Sequence, residues 1–152
     1  MIGTTQVGYE RETGLDLHQY QGLAGFRYAL RRFVAASEVI NREAGITQQQ
    51  YQALLVIKTH AGDAMSVGAF ADQLLLTHHA AVQLVDRLAK ACLAERTRAS
   101  EDRRTVHLTL TAKGTALLEN LAAKHLHEML RQEPLLTSSL KRLKGIAHGE
   151  QV

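Results

Sequence analysis

The stretch from Leu74 to Thr111, LLLTHHAAVQLVDRLAKACLAERTRASEDRRTVHLTLT, changes its hydrophobic period partway along. That change narrows the possible folds more than any other feature of the chain. Ala81, Val82, Val85, Leu88 and Ala89 recur at helical spacing and make one apolar face. Thr77 stands in front of them, where a hydroxyl can take a free N–H of the first turn. His78, His79, Gln83 and Arg87 fall largely off the apolar face. Past Leu93 the period becomes that of a strand: Val106, Leu108 and Leu110 alternate with Thr105, His107 and Thr109. Between them Arg98-Ala99-Ser100-Glu101-Asp102-Arg103-Arg104 has no apolar anchor, so it reads as a solvated loop joining two antiparallel strands. A capped helix leading into a basic β-hairpin is the layout of a DNA-reading winged helix.

The residues around that hairpin resemble the MarR family of transcriptional regulators. VDRLAK…ERTRASEDRRTVHLTLTAKG carries its marks: a wing Asp102-Arg103-Arg104, then a strand, then Leu110-Thr111-Ala112-Lys113-Gly114. The resemblance runs from about Leu17 to the C-terminus. It implies a mainly α protein, a winged helix-turn-helix whose N- and C-terminal helices form a dimerisation region. It also implies a homodimer on an inverted-repeat operator of double-stranded DNA, acting as a repressor relieved by a small aromatic or phenolic effector. Such an effector is expected between the helical base and the winged part, with Tyr28, Phe33 and Tyr51 as candidate lining; core packing explains these three equally well. One residue departs from the family pattern. Cys92 follows Ala91 at the helix exit, where the family usually has glycine, a position that wants a left-handed backbone. Reactive cysteines in redox-sensing members lie near the N-terminus, where this chain has none, so Cys92 is expected to be a small, partly buried residue and not a sensor.

Length and composition fit this picture. The chain has 152 residues, 45% hydrophobic and 22% charged, enough to bury one core. Its formal charge of +3 is too small to argue for nucleic acid by itself. The placement says more: Arg87, Lys90, Arg96, Arg98, Arg103 and Arg104 crowd one short stretch. One cysteine excludes an internal disulfide framework. No apolar run has membrane-spanning length and no secretory leader is apparent, so a cytoplasmic protein with no membrane partner is expected.

In chain order, 1–16 reads as a flexible arm and 17–152 as a single domain. Within it 17–45 and 112–150 are dimerisation helices and 46–111 is the winged helix. From Leu17 to Glu43 a helix carries the stripe Leu23, Phe26, Leu30, Phe33, Ser37 and Ile40. Tyr20, Ala24, Tyr28 and Val34 make it apolar on a second side, which calls for a second subunit. Gly45 stops it. Thr47 and Gln50 make a capping box for a helix ending at Gly62. Ala64-Met65 can form a short strand, and Ser66 caps a helix that turns Val67, Phe70, Ala71 and Leu74 inward. Thr111 caps a long helix with Ala116, Leu117, Leu121, Leu126 and Met129 as its apolar positions. Gly114 in its first turn is unfavourable by propensity. Pro134 is expected in the first turn of a separate last helix, carrying Leu136, Leu140, Leu143 and Ala147.

The candidate DNA-binding residues are Thr77, His78, His79, Gln83, Arg87, Arg98, Arg103 and Arg104. Glutamine can pair with adenine, and histidine can donate to a base or a phosphate. Arg103 and Arg104 suit a narrow minor groove. Asp102 would hold an arginine, Arg104 or Arg87, by a carboxylate–guanidinium pair. The plainer readings are an exposed polar helix face and a solvated hairpin. Eight histidines raise the question of a metal, but His78-His79 and His125/His127 do not share a helix face. No metal and no cofactor are expected. There is no phosphate loop, no GxSxG and no HExxH, so the chain is not expected to be an enzyme. The alternative from another class is a helical protein-interaction module that does not read DNA.

Overall fold

The computed structural model describes residues 14–61, 65–98 and 106–148. The elements run α1 (Leu17–Glu43), α2 (Gln48–Thr59), β1 (Met65–Ser66), α3 (Val67–Gln73), α4 (His78–Lys90), β2 (Ala94–Arg98), β3 (Val106–Leu110) and α5 (Ala112–Ala147). The chain divides into two compact units, 32–133 and the pair 1–31 with 134–152.

The unit 32–133 holds the main core. Its sheet has the order β1-β3-β2, antiparallel throughout. Met65 faces Leu108 across β1 and β3, and both are buried. Leu54, Phe70, Leu84, Leu88, Leu93 and Leu121 pack with them. β2 registers with β3 from Ala94↔Leu110 to Arg98↔Val106. Only Ala94 of β2 is buried; Glu95, Arg96, Thr97 and Arg98 are exposed whichever way they point.

Local chemistry explains the helix starts. Thr47 Oγ1 accepts from Gln50 N (3.1 Å) while Gln50 Oε1 accepts from Thr47 N (2.9 Å), so two otherwise unpaired donors are satisfied reciprocally. Ser66 Oγ accepts from Ala69 N, Thr77 Oγ1 from Ala80 N, and Thr111 Oγ1 from Gly114 N. Three helices end in one way. Gly45, Leu75 and Cys92 adopt positive φ of 76°, 54° and 57°. The next N–H then reaches back five residues: Ile46 to Asn41, Leu76 to Ala71 and Leu93 to Leu88, at 2.9–3.1 Å. Only one of the three residues is glycine. Cys92 does take the left-handed backbone, but its side chain is exposed, not partly buried, because the tight exit turns it outward.

Other expectations need correcting. α2 ends at Thr59, before Gly62, which lies outside the described residues; His60 is already extended, and Thr59 Oγ1 donates to Leu55 O. The buried face of α4 is Ala81, Leu84, Val85 and Leu88, with Val82 and Ala89 only half-buried. The sequence reading was rotated by about one residue and missed Leu84. The buried positions of α5 are Gly114, Leu118, Leu121, His125 and Gln132, while Ala116, Leu126 and Met129 are exposed. Pro134 lies inside α5 and starts no new helix. Its fixed φ is itself helical, so one absent N–H does not end a helix whose flanking residues all favour continuation.

In the unit formed by 1–31 and 134–152, Asp16 and Gln19 cap the start of α1 reciprocally. Gly22 is buried against Ile146, where a Cβ would stand 2.4 Å from its Cδ1. No helix among the described residues is long and apolar enough to cross a membrane.

Candidate nucleic-acid interface

α4 is fixed on three sides before any ligand is considered. Its inner face is buried in the core. Its start is set by the Leu75 turn and the Thr77 cap. Its exit is gripped by the first residues after β3. Lys113 Nζ donates to Ala91 O (3.0 Å), the Thr111 hydroxyl to Cys92 O (2.6 Å) and Thr111 N to Leu93 O (3.2 Å). Gly114 packs on the same spot; a Cβ there would stand 1.9 Å from Leu93 O. The Leu110–Gly114 stretch is therefore a clamp on the end of α4, and the glycine that helix propensity disfavours is required by this approach. Arg96 of β2 adds an ion pair to Asp86 of α4, tying strand to helix.

The outer face of the helix is polar. His78, His79, Gln83 and Arg87 are all exposed, and the last three follow one another at four-residue spacing along one stripe. Thr77 spends its oxygen as the cap. Arg87 Nη2 donates to Gln49 Oε1 (2.8 Å), so its guanidinium is held from α2. Arg98 is exposed at the end of β2. Glu101, Asp102, Arg103 and Arg104 lie outside the described residues. A cleft of about 440 Å³ lies beside the helix start, lined by Ser66, Val67, Gly68, His78, Val82, Arg96 and Val106. Polar helix, braced exit and strand pair make a winged helix whose outer helix face is polar and solvent-facing.

The MarR family model matches residues 44–105, from the end of α1 into the segment between β2 and β3. The matched segment is similar to the winged helix of MarR-family proteins. Solved structures of similar fold agree. AbsC, a MarR family transcriptional regulator from Streptomyces coelicolor, is 22% identical with a TM-score of 0.73, over 90% of this chain and 96% of that one. A MepR mutant of S. aureus bound to an oligodeoxyribonucleotide is 20% identical, TM-score 0.61, over 87% and 98%. BpsR of Bordetella bronchiseptica, whose DNA binding is regulated by 6-hydroxynicotinic acid, is 19% identical, TM-score 0.66, over 88% and 98%. No curated protein sequence compared with the chain matches it significantly.

Tyr28, Phe33 and Tyr51, the candidate lining of an effector site, have different surroundings. Tyr28 is 52% exposed, Phe33 is half-buried, and Tyr51 is buried with its ring stacked on His125 at 3.9 Å between centroids. A second cavity, about 430 Å³, belongs to the unit of 1–31 and 134–152 and is lined by His18, Ser138, Lys141, Arg142 and Ile146. None of the three aromatic residues lines either cavity. Among the described residues no cluster of three or more His, Cys, Asp or Glu could hold a metal.

Sequence reasoning missed a buried polar cluster in the unit 32–133. His125 is buried, with Nδ1 3.2 Å from Ser37 Oγ and Nε2 2.8 Å from Asn41 Oδ1. Ser37 and Asn41 both reach Gln48 Oε1. Burial lowers the His125 pKa and raises that of Tyr51. The one available signal was Ser37, a polar residue sitting in the apolar stripe of α1.

Proposed function

We propose that this chain is a DNA-binding transcription regulator that acts as a homodimer on an inverted-repeat operator. The observation that carries the reading is the His79–Gln83–Arg87 stripe: polar, exposed, and mounted on a helix whose other contacts are all fixed. A rigid helix with a polar outer face can enter a major groove and read base edges at little ordering cost. Arg98 and the hairpin beyond it, with Arg103 and Arg104, supply charge for the backbone and the adjacent minor groove. The oligonucleotide bound by the related MepR mutant supports this use of the fold. Repression relieved by a small aromatic or phenolic effector is the mode we assign, in line with the regulation of BpsR by 6-hydroxynicotinic acid.

The test is selection of bound duplexes from random DNA, followed by titration at two salt concentrations. An inverted repeat should emerge. Gln83→Ala should relax preference at one position in each half-site, by roughly 1–3 kcal/mol for a bidentate base contact. Arg98→Ala should weaken all sequences alike and flatten the log–log salt dependence by about one unit per lost phosphate contact. Sequence-blind losses of equal size would sink the division of labour. No salt-dependent binding at all would favour a helical protein-interaction module.

A further inference from the structure

Where α1, α2 and α5 meet in the unit 32–133, four side chains close a polar circuit. Four contacts make it up: His125 Nε2 to Asn41 Oδ1, Asn41 Nδ2 to Gln48 Oε1, Ser37 Oγ to Gln48 Oε1 (2.9 Å), and Ser37 Oγ to His125 Nδ1. Ser37, Asn41 and His125 are buried, at 4%, 1% and 8% exposure, and Gln48 at the rim is half-buried. Counting hydrogens is then decisive. With the amides as they stand, the Ser37 hydrogen goes to Gln48, and the fourth contact needs a hydrogen on Nδ1 as well as the one on Nε2. Only the imidazolium carries both. Turning both amides over gives every contact a hydrogen with a neutral ring, but leaves the Ser37 hydroxyl hydrogen without an acceptor in the circuit. Asn41 then donates to Nε2, Gln48 donates to Asn41 and Ser37, and a neutral ring donates from Nδ1 to Ser37. Each protonation state has its own arrangement, and mixing them sets a buried donor against a donor or leaves a contact without a hydrogen.

The circuit is joined to the reading helix through three consecutive glutamines. Gln48 belongs to the circuit, Gln49 holds Arg87 of α4 at 2.8 Å, and Gln50 closes the capping box on Thr47. All three lie in the first turn of α2. We propose that His125 is a proton-binding positioning residue that, through Gln48 and the first turn of α2, sets how firmly Gln49 presents Arg87 on the DNA-reading face. The proposal rests on the DNA-binding reading above.

The groups facing the ring leave the proton as the only variable charge. From α2 it meets Tyr51, from α1 the uncharged Ser37 and Asn41, and along its own face of α5 the buried Leu121 and Gln132. Glu128, one turn on, is engaged with Arg131 and Gln132. Burial lowers the pKa of His125, so the folded ring takes its proton at lower pH than the unfolded one. Its contribution to stability is full above the ordinary imidazole range. It is lost as pH falls from there through the lowered folded value. Acid thus sets the desolvation cost of a charged ring against the circuit at the first turn of α2, and DNA affinity falls with it.

The experiment uses the isotope-labelled full chain between about pH 5 and pH 8, where histidine titrates. In the DNA-free protein, NMR follows the His125 ring and the side-chain amides of Asn41 and Gln48. In parallel, affinity for the selected duplex is measured for the wild type, His125→Gln and Gln49→Ala. One midpoint below the ordinary imidazole value should describe the ring and both amides. Relative to His125→Gln, wild-type affinity should fall by roughly fivefold or more through that midpoint. Gln49→Ala should remove most of that fall. Should His125→Gln fail to fold, Ser37→Ala replaces it and must shift the midpoint. Amides that ignore the ring, or a pH profile unchanged in the variant, would overturn the proposal. Absence of DNA binding at every pH would instead overturn the DNA-binding reading, while the NMR arm still judges the circuit.

Discussion

Single residues carry much of this fold, and they differ in how openly the sequence shows them. The caps at Thr47, Ser66, Thr77 and Thr111 were legible because each acts on a backbone N–H three residues away. Gly114 was legible only as an oddity. Its reason is Leu93 O, a neighbour that exists once β2 and β3 are folded back on α4. Gly114→Ala should therefore destabilise the protein by about 3 kcal/mol or more, above the usual cost of overpacking, since the obstacle is backbone. Urea unfolding checks this, and a variant as stable as the wild type would refute the clamp. Leu75 gave no sign of its left-handed turn, because nothing in a leucine announces one. It is 93% exposed, so its side chain gains nothing in return. Leu75→Gly should gain up to about 1 kcal/mol, the left-handed penalty less the extra freedom of an unfolded glycine. A loss of stability in the same assay would refute the left-handed penalty at Leu75. His125 was the least legible. Its partners lie 88 and 84 residues away in sequence, beyond any local pattern.

At the scale of elements, long periodic segments were readable and short irregular ones were not. α1 was bounded correctly because its stripe is long and Gly45 marks its end. β2 was placed only through the hairpin it forms, since four of its five residues are exposed and no alternation survives. α5 misled by its proline. Pro134 removes one hydrogen bond from a helix of 36 residues without ending it. Replacing it at this exposed site should restore that bond. Pro134→Ala is expected to raise stability by about 1–3 kcal/mol, the difference in helix propensity. A lower melting temperature in the variant would mean that the proline sets a bend the packing needs.

The whole molecule, taken as one chain, leaves much apolar surface in water. Tyr20, Leu126 and Leu130 are 57%, 59% and 64% exposed, and Leu23, Tyr28, Leu30, Val34, Met129 and Leu140 are also exposed. Surface of this kind favours association, and sedimentation of the intact chain should report a dimer. A folded monomer at micromolar concentration would contradict it. The exit of α4 supplies an independent ruler. Cys92 is the only thiol in the chain, it faces solvent, and its backbone is pinned by bonds at Cys92 N and Cys92 O. A nitroxide reagent will therefore mark the unaltered protein at one place, on the end of the helix proposed to read DNA. Two copies give one spin–spin distance and a lone copy gives none. If the two α4 helices settle into successive major grooves, about 34 Å apart, the spread of that distance should collapse when the operator is added.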